Sequence, residues 1–351
     1  MEYDKYWIHE DYFIFKPEFN NELDDFINLI VNYKKLIFSD YNDYKICIVT
    51  NNKFEEKNNY KGSKFNKALD NTFENLINLQ QLTFGLWFNQ PLTNSLEKLI
   101  NLQQLTFGHY FNLPLANSLE KLINLQQLTF GFYFNQPLAN SLDKLINLQQ
   151  LTFGTWFNQP LENSLEKLIN LQQLIFCCYF NQVLANSLEK LINLRVLTFG
   201  SEFNQSLGNS LDKLINLQQL TFSWCFNQPL ANSLDKLINL QQLTLGHEFK
   251  QKLEIPFNIR ILNLNCNNQY IIDNLPNSIE ELELGIYFNL KLDDLPSSMR
   301  IIRIENEKYD RELNNLPKFL KKIILPTEYI KEIKNINPEC IIEKIDFLNT
   351  Y

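Results

Sequence analysis

The sequence predicts an α/β repeat fold, a solenoid of 23-residue coils with one parallel β-sheet face and short helical or irregular turns on the other. Two observations carry this. Phe65-Asn66 returns at the same interval as Phe88, Phe111, Phe134, Phe157, Phe180, Phe203 and Phe226, each followed by Asn, and Phe249 keeps the interval with Lys250 in place of Asn. A fixed period in the twenties marks stacked coils, each of which buries its apolar side only against its neighbours. At 351 residues the chain also exceeds the size at which one core stops growing, and a repeat stack resolves that difficulty.

Each coil reads approximately F-N-Q-P-L-A-N-S-L-E-K-L-I-N-L-Q-Q-L-T-F-G-x-x. Leu102, Leu105 and Phe107 give an L-x-x-L-x-F pattern whose alternation points Leu105 and Phe107 inward and Gln104 and Thr106 outward, the signature of a strand. Downstream, Asn117 and Glu120 have the spacing of a capping box, and Leu119, Leu122 and Ile123 fall on one face of a short helical turn. The grammar is leucine-rich-repeat-like: strands stack into the sheet and turns cover its back. At about 4.8 Å per strand, roughly fourteen coils give an elongated, curved body on the order of 65 Å long.

The ends follow the same grammar more loosely. Phe19-Asn20 lies two periods before Phe65-Asn66, and Leu36-Ile37-Phe38 lies two periods before Leu82-Thr83-Phe84. Residues 1–64 are therefore read as an N-terminal cap with two degenerate coils, and 65–255 as the regular repeats. Over 256–325 the coils shorten to 20 or 21 residues, with strands expected at Ile261 to Leu264, Leu282 to Leu284, Ile302 to Ile304 and Ile323 to Leu325. Leu-Pro turns follow in this region at Leu275-Pro276, Leu295-Pro296 and Leu316-Pro317. Residues 326–351 are read as a C-terminal cap, because a solenoid must cover its open end.

An F-N-x-x-L turn with a Leu-Pro and a following L-x-x-L-x-F strand resembles the FNIP-repeat family, relatives of the leucine-rich repeats found in amoebae and giant DNA viruses. Phe288-Asn289-Leu290-Lys291-Leu292 with Leu295-Pro296 carries the likeness best. In the central coils Phe88 to Leu92 reads Phe-Asn-Gln-Pro-Leu, and Asn-Ser-Leu-Glu-Lys-Leu replaces the Leu-Pro. The resemblance covers about residues 65 to 325. It implies an interaction scaffold without a catalytic site and carries no site residues. Some members place an F-box before the repeats, which would imply a substrate receptor of a ubiquitin ligase; Pro17 to Ile30 is the segment to compare, although its repeat register fits better.

Composition narrows the function classes. Net charge is -8, which argues against nucleic acid, whose nonspecific affinity comes from clustered Lys and Arg. No segment has the length and apolarity of a membrane span, and Met1 to Asp11 lacks the basic start and apolar run of a secretory signal. Six Cys without paired spacing suit free thiols in a reducing compartment, so a cytoplasmic location is expected, the host cytoplasm if the protein is viral. Phosphate-binding Gly loops, G-x-S-x-G elbows and H-E-x-x-H helices are missing, and His9, His109 and His247 are too scattered for a His-based metal site. No enzyme, cofactor or metal is expected.

What remains is surface. The Glu97-Lys98 pair, repeated through Asp235-Lys236, reads as helix capping plus a solvated Lys, and Asn89 and its equivalents read as a column whose amides bond the turn backbone of the next coil. The Thr stripe from Thr83 to Thr244, interrupted by Ile175, reads as β-propensity and cross-strand pairing. The two residues after each strand Gly vary against this copied background. If strand parity holds through the Gly, Trp87, Tyr110, Tyr133, Trp156 and Tyr179 form one aromatic ladder, continued by Glu202 and Glu248, and Trp224 belongs to the same variable pair. These eight are the candidate partner-binding residues. Such a ladder suits stacked sugar rings or a protein partner, and an aromatic stack that only closes the sheet edge accounts for it equally well or slightly better.

Overall fold

The computed structural model describes residues 4–42, 45, 61–69 and 72–347. The chain divides into two units, residues 1–193 and 194–351. In the first, β1 (Tyr6–His9) and β2 (Tyr12–Phe15) form an antiparallel hairpin, and every later strand is parallel to its predecessor. These are β3 (Lys35–Phe38), β4 (Gln81–Thr83), β5 (Gln104–Thr106), β6 (Gln127–Thr129), β7 (Gln150–Thr152) and β8 (Gln173–Ile175). Leu82, Leu105, Leu128, Leu151 and Leu174 stand in register and are buried, as the alternation predicts. A slip of one residue would turn this whole column to solvent, so the register is firmly set.

Two Phe columns fill the interior behind the sheet. The strand ring Phe107 stacks on the turn ring Phe111 of its own coil, with centroids 4.3 Å apart, and on Phe130 of the next coil at 5.5 Å. Phe130 repeats this with Phe134 at 4.0 Å and Phe153 at 5.6 Å. All of these rings are buried. Because each coil offers the same ring at the same height, like packs on like.

The back of the coil departs from the expected helical turn. Residues 117–122 form successive i to i+3 turns: the Glu120 N–H donates to the Asn117 carbonyl at 3.1 Å, and the Leu122 N–H to Leu119 at 3.0 Å. Strict three-residue spacing of Leu119, Leu122 and Leu125 explains this, since a period of three keeps all of them inward only in a tight 3₁₀-like winding. Ile123, expected on the buried face, is 50% exposed, and Ile77, Ile100, Ile146, Ile169 and Ile192 do the same in their coils. With no helix to cap, Glu97 and Lys98 are both simply exposed.

At the N-terminal end, Phe19 and Phe65 are neighbours at 5.9 Å although two periods separate them, and β3 pairs directly with β4. Phe38 stacks on Phe65 at 4.0 Å just as Phe84 stacks on Phe88 at 3.9 Å. The double interval from Phe19 to Phe65 is therefore one step of the stack. Residues 43, 44 and 46–60 of that interval lie outside the described residues. The segment compared with an F-box holds one turn of helix, α1 (Ile27–Ile30), between strands β2 and β3 of the sheet.

The second unit holds β9 (Val196–Phe199), β10 (Gln219–Phe222), β11 (Gln242–Leu245), β12 (Ile261–Leu264), β13 (Glu281–Leu284), β14 (Ile301–Ile304), β15 (Lys322–Pro326) and β16 (Ile341–Ile345), each parallel to the next. The strands expected over 256–325 are β12 to β15. One true helical turn, α2 (Gln269–Asp273), starts where the Asn268 side chain accepts the Ile271 N–H at 3.3 Å. The segment read as a C-terminal cap continues the sheet with β16, whose Ile341 and Ile342 are exposed.

Candidate functional site

The Asn column does what its residue type allows. Asn66 Oδ1 accepts the Asn89 N–H at 2.9 Å, Asn89 accepts from Asn112 at 3.0 Å, and the pattern continues through Asn135 and Asn158 to the N–H of Asn181. In the second unit Asn204 accepts from Asn227 and Asn227 from Lys250, both at 2.9 Å. A second amide column begins with Asn101, which donates to the Ile77 carbonyl at 2.8 Å. These zippers hold successive turns one strand spacing apart.

The variable pair sits on a β-turn. The Phe88 N–H donates to the Gly85 carbonyl at 3.3 Å, making Leu86 and Trp87 its central residues. Each turn is hung from the one before: the Tyr110 N–H donates to Leu86 O at 3.0 Å, and those of Tyr133, Trp156 and Tyr179 to His109, Phe132 and Thr155 at 2.9 Å. Glycine precedes the pair because a Cβ at Gly108 would lie 1.8 Å from the Gly85 carbonyl oxygen, and one at Gly131 1.9 Å from that of Gly108.

This hanging builds the aromatic ladder. Ring centroids are 4.3 Å apart for Trp87 and Tyr110, 4.9 Å for Tyr110 and Tyr133, 6.4 Å for Tyr133 and Trp156, and 4.5 Å for Trp156 and Tyr179, with planes within 27° of parallel. The turn repeat produces the ladder, not strand alternation carried past the Gly. Trp87, Tyr133, Trp156 and Tyr179 are exposed and Tyr110 is half-buried. Because the faces meet one another, the ladder presents mainly ring edges.

The other residue of each pair turns toward the sheet. His109, Phe132 and Thr155 line a shallow cavity of about 180 Å³ over Thr106, Thr129 and Thr152. Burial pushes His109 down to about 4, so its imidazole is neutral near pH 7, and burial raises the Cys177 thiol at the same cavity. Asp40 stands at its edge in the position that Leu86 holds one coil later. Its carboxylate accepts the N–H groups of Ser63 and Leu86, both at 2.7 Å, and so ties the returning chain to the next coil. Crowding by protein raises Asp40 to about 6 against the opposing pull of those two donors.

In the second unit the candidate residues separate. Glu202 and Glu248 keep the ladder's sequence position, with Cys225 between them; its thiol lies 3.9 Å from Glu202 and is raised by burial and by the two carboxylates. The Lys250 ammonium at 2.9 Å holds the Glu248 carboxyl below its usual range. Trp224 and His247 instead take the sheet-facing position. They meet Tyr287, with His247 centroids 4.7 Å from Trp224 and 4.4 Å from Tyr287, and Trp224 and Tyr287 are 5.1 Å apart at 87°. The three rings line a cavity of about 350 Å³, and a second of about 570 Å³ shares Ile286, Tyr287 and Glu305 with it.

Tyr287 was missed by sequence reasoning, yet Ile286-Tyr287-Phe288-Asn289 repeats the variable pair before Phe-Asn, so carrying the column past Phe249 finds it. Cys177, Cys178, Cys225, Cys266 and Cys340 are free thiols. Among the described residues no three His, Cys, Asp or Glu side chains converge as metal ligands, and no helix is long and apolar enough to cross a membrane.

Residues 249–287 match the family model described as FNIP Repeat. Among solved structures the chain is similar to CroV588, a circular LRR protein of a giant virus, at 23% identity and a TM-score of 0.64, over 97% of this chain and 60% of that one. It is also similar to TLR13 in its complex with ssRNA13 (17% identity, TM-score 0.58, 93% and 49% covered) and to Drosophila Toll in its complex with Spätzle (12%, 0.57, 95% and 49%). The chain thus spans about 60% of CroV588 and about half of the other two. At these identities the likeness is one of fold: a leucine-rich-repeat-like parallel solenoid. No curated protein matches by sequence.

Proposed function

Starting from a leucine-rich-repeat-like solenoid that carries an FNIP repeat at 249–287, we propose that the protein is a non-catalytic scaffold that binds a protein partner along its turn edge. The observation that carries this is the aromatic ladder. Trp87, Tyr110, Tyr133, Trp156 and Tyr179 form a pre-ordered apolar strip on an exposed edge, and aromatic anchors held rigid before binding lose little entropy on docking. Solved proteins of similar fold include one complexed with a protein, Toll with Spätzle, and one with RNA, TLR13. A net charge of -8 favours the protein class for this chain. The free thiols suit a cytoplasmic setting.

Two other readings are weaker. Sugar rings stack on open aromatic faces, and in the ladder those faces are turned to each other. An adaptor-docking F-box needs several helices, whereas residues 12–38 contribute β2, β3 and one short helical segment, the 3₁₀ turn Asp24–Phe26 running into α1. The test is capture from lysate by the wild-type chain and by the Trp87→Ala/Tyr110→Ala/Tyr133→Ala variant, read by mass spectrometry alongside circular dichroism. Partners lost from the folded variant support the proposal, and partners retained by it sink it.

A further inference from the structure

The back of the regular coils carries a feature that neither the core nor the ladder uses. Ile100, between the inward Leu99 and Leu102, leaves about half of its surface in solvent, and Ile77, Ile123, Ile146, Ile169 and Ile192 repeat it through the first unit. The following coil fixes their backbone: the Asn101 side chain donates to the Ile77 carbonyl and Asn124 to that of Ile100, both at 2.8 Å, and Asn147 to that of Ile123 at 2.9 Å. One stiff, β-branched side chain per coil therefore stands on a clamped backbone. The fold does not require an apolar residue there. In the second unit the column continues as Ile215, Ile238 and Phe257, all exposed. The next three coils put the exposed Asn277, Ser297 and Lys318 at the same place, two residues before the buried Ile279, Met299 and Leu320. Packing thus leaves the choice open, and six isoleucines in succession make an apolar stripe that water disfavours.

The stripe suits a second copy of the chain in area, charge and spacing. The six isoleucines and the aliphatic stems of the lysines beside them present on the order of 800 Å², one side of a standard interface. An acidic residue and a lysine precede each Ile from Ile100 to Ile192, beginning with Glu97-Lys98 and ending with Glu189-Lys190. This flank is neutral coil by coil, so two copies meet there without the repulsion that a net charge of -8 brings elsewhere. On the other flank Asn101 and Asn124 are already engaged with the backbone, so covering them leaves less polar capacity unmet. A two-fold contact also sets two columns of the same coil spacing against each other, so that every Ile meets an apolar partner in one register.

We propose that two copies of the chain associate back to back, the Ile77 to Ile192 stripe of one against that of the other about a two-fold axis. The contact stands independently of the aromatic ladder. The test is sedimentation velocity of the full chain across the micromolar range, where the wild type is expected to show a concentration-dependent dimer. Ile123→Asn/Ile146→Asn introduces the residue type that Asn277 holds at this position, and Ile100→Lys/Ile169→Lys the type that Lys318 holds, so both variants are expected to fold, as thermal melting checks. Each is expected to weaken the dimer by about tenfold or more. The Trp87→Ala/Tyr110→Ala/Tyr133→Ala variant is expected to dimerise as the wild type does, so that failure of the ladder reading and failure of this one are told apart. A wild type that stays monomeric, which would leave the stripe to an amphipathic helix or another cover, overturns the proposal. So does a folded variant of either kind that dimerises as strongly as the wild type.

Discussion

The regular coils of the first unit and the shorter coils of the second obey the same grammar but use it differently. In the regular coils each position meets its own copy: Phe130 on Phe153, Asn112 on Asn135, Tyr110 on Tyr133. In the shorter coils the copies have diverged, so that Asn263 stands beside Glu283 and Glu283 beside Arg303, and Tyr287 meets Trp224 of a regular coil edge to face. Copying zips neighbours together and closes ring faces. Divergence breaks the zipper locally, leaves oxygens such as Asn289 Oδ1 without partners, and opens cavities. The regular coils are thus suited to an extended contact, and the shorter ones to a defined pocket.

If like-on-like stacking carries stability only where it is buried, two rings one coil position apart in role should behave very differently. Phe130 is buried between Phe107, Phe134 and Phe153, whereas Tyr133 stacks on Tyr110 but keeps 39% of its surface in solvent. Phe130→Ala should lower stability by about 3–5 kcal/mol, and Tyr133→Ala by only about 1 kcal/mol. Denaturant unfolding of the two variants checks this. A Tyr133→Ala loss as large as that of Phe130→Ala would make the ladder part of the structural core and remove the main reason for reading it as a binding edge.

The repeat was legible because its period is written in large residues. Phe, Leu and Asn recur at fixed places, and each place has one physical job: inward ring, inward aliphatic, backbone acceptor. What was not legible depended on geometry that no period encodes. The spacing of Leu119 and Leu122 suits a helical turn as well as a 3₁₀-like one, and only the packed coil shows that Leu125 joins them inward while Ile123 faces solvent. The interval from Phe19 to Phe65 equals two coils in sequence, but the two rings are neighbours in the stack, a fact no interval length records. The ladder was found at the right residues for an incomplete reason, since a turn hung from its predecessor places Trp87 over Tyr110. The cavity at Tyr287 was missed because it arises from divergence, and the reading followed the copies.

Asp40 marks where copying fails at the other end. It replaces the Leu86-type residue with a carboxylate that joins Ser63 to Leu86 of the first regular coil. Its carboxyl is raised to about 6, so the folded chain binds its proton more tightly than the unfolded chain does. Between about pH 4 and pH 6 the native state therefore holds more protons, and stability falls as pH rises through that window. Asp40→Asn keeps the acceptor oxygen for Ser63 and Leu86 without the charge. Since Asp40 retains some solvent contact, the variant should be more stable than the wild type by about 1–2 kcal/mol at pH 8, with the difference closing below pH 4. Thermal unfolding across that range checks it. A difference that grows toward low pH would mean that the two N–H donors outweigh burial.

The smallest expected effect tests the comparison in the backbone itself. Many coils hold one left-handed turn residue, and five regular coils place Thr93, Ala116, Ala139, Glu162 and Ala185 there, at φ between 34° and 44°. The shorter coils use Asp294, Asn315 and Asn335 at φ near 55°, residue types whose side chains tolerate that conformation. Gly208 holds the regular position at φ 49°, and a Cβ added there would meet nothing within 4 Å. The strain in the regular coils is therefore conformational, with no packing to offset it. Ala116→Gly should raise stability by about 0.5–1 kcal/mol, and Asn315→Ala should lower it by about as much, both read by denaturant midpoints. Opposite signs at equivalent turns would show that the shorter coils have settled their backbone while the regular coils keep a strained residue by repetition. The same sign for both would place the difference between the two regions in their side chains alone.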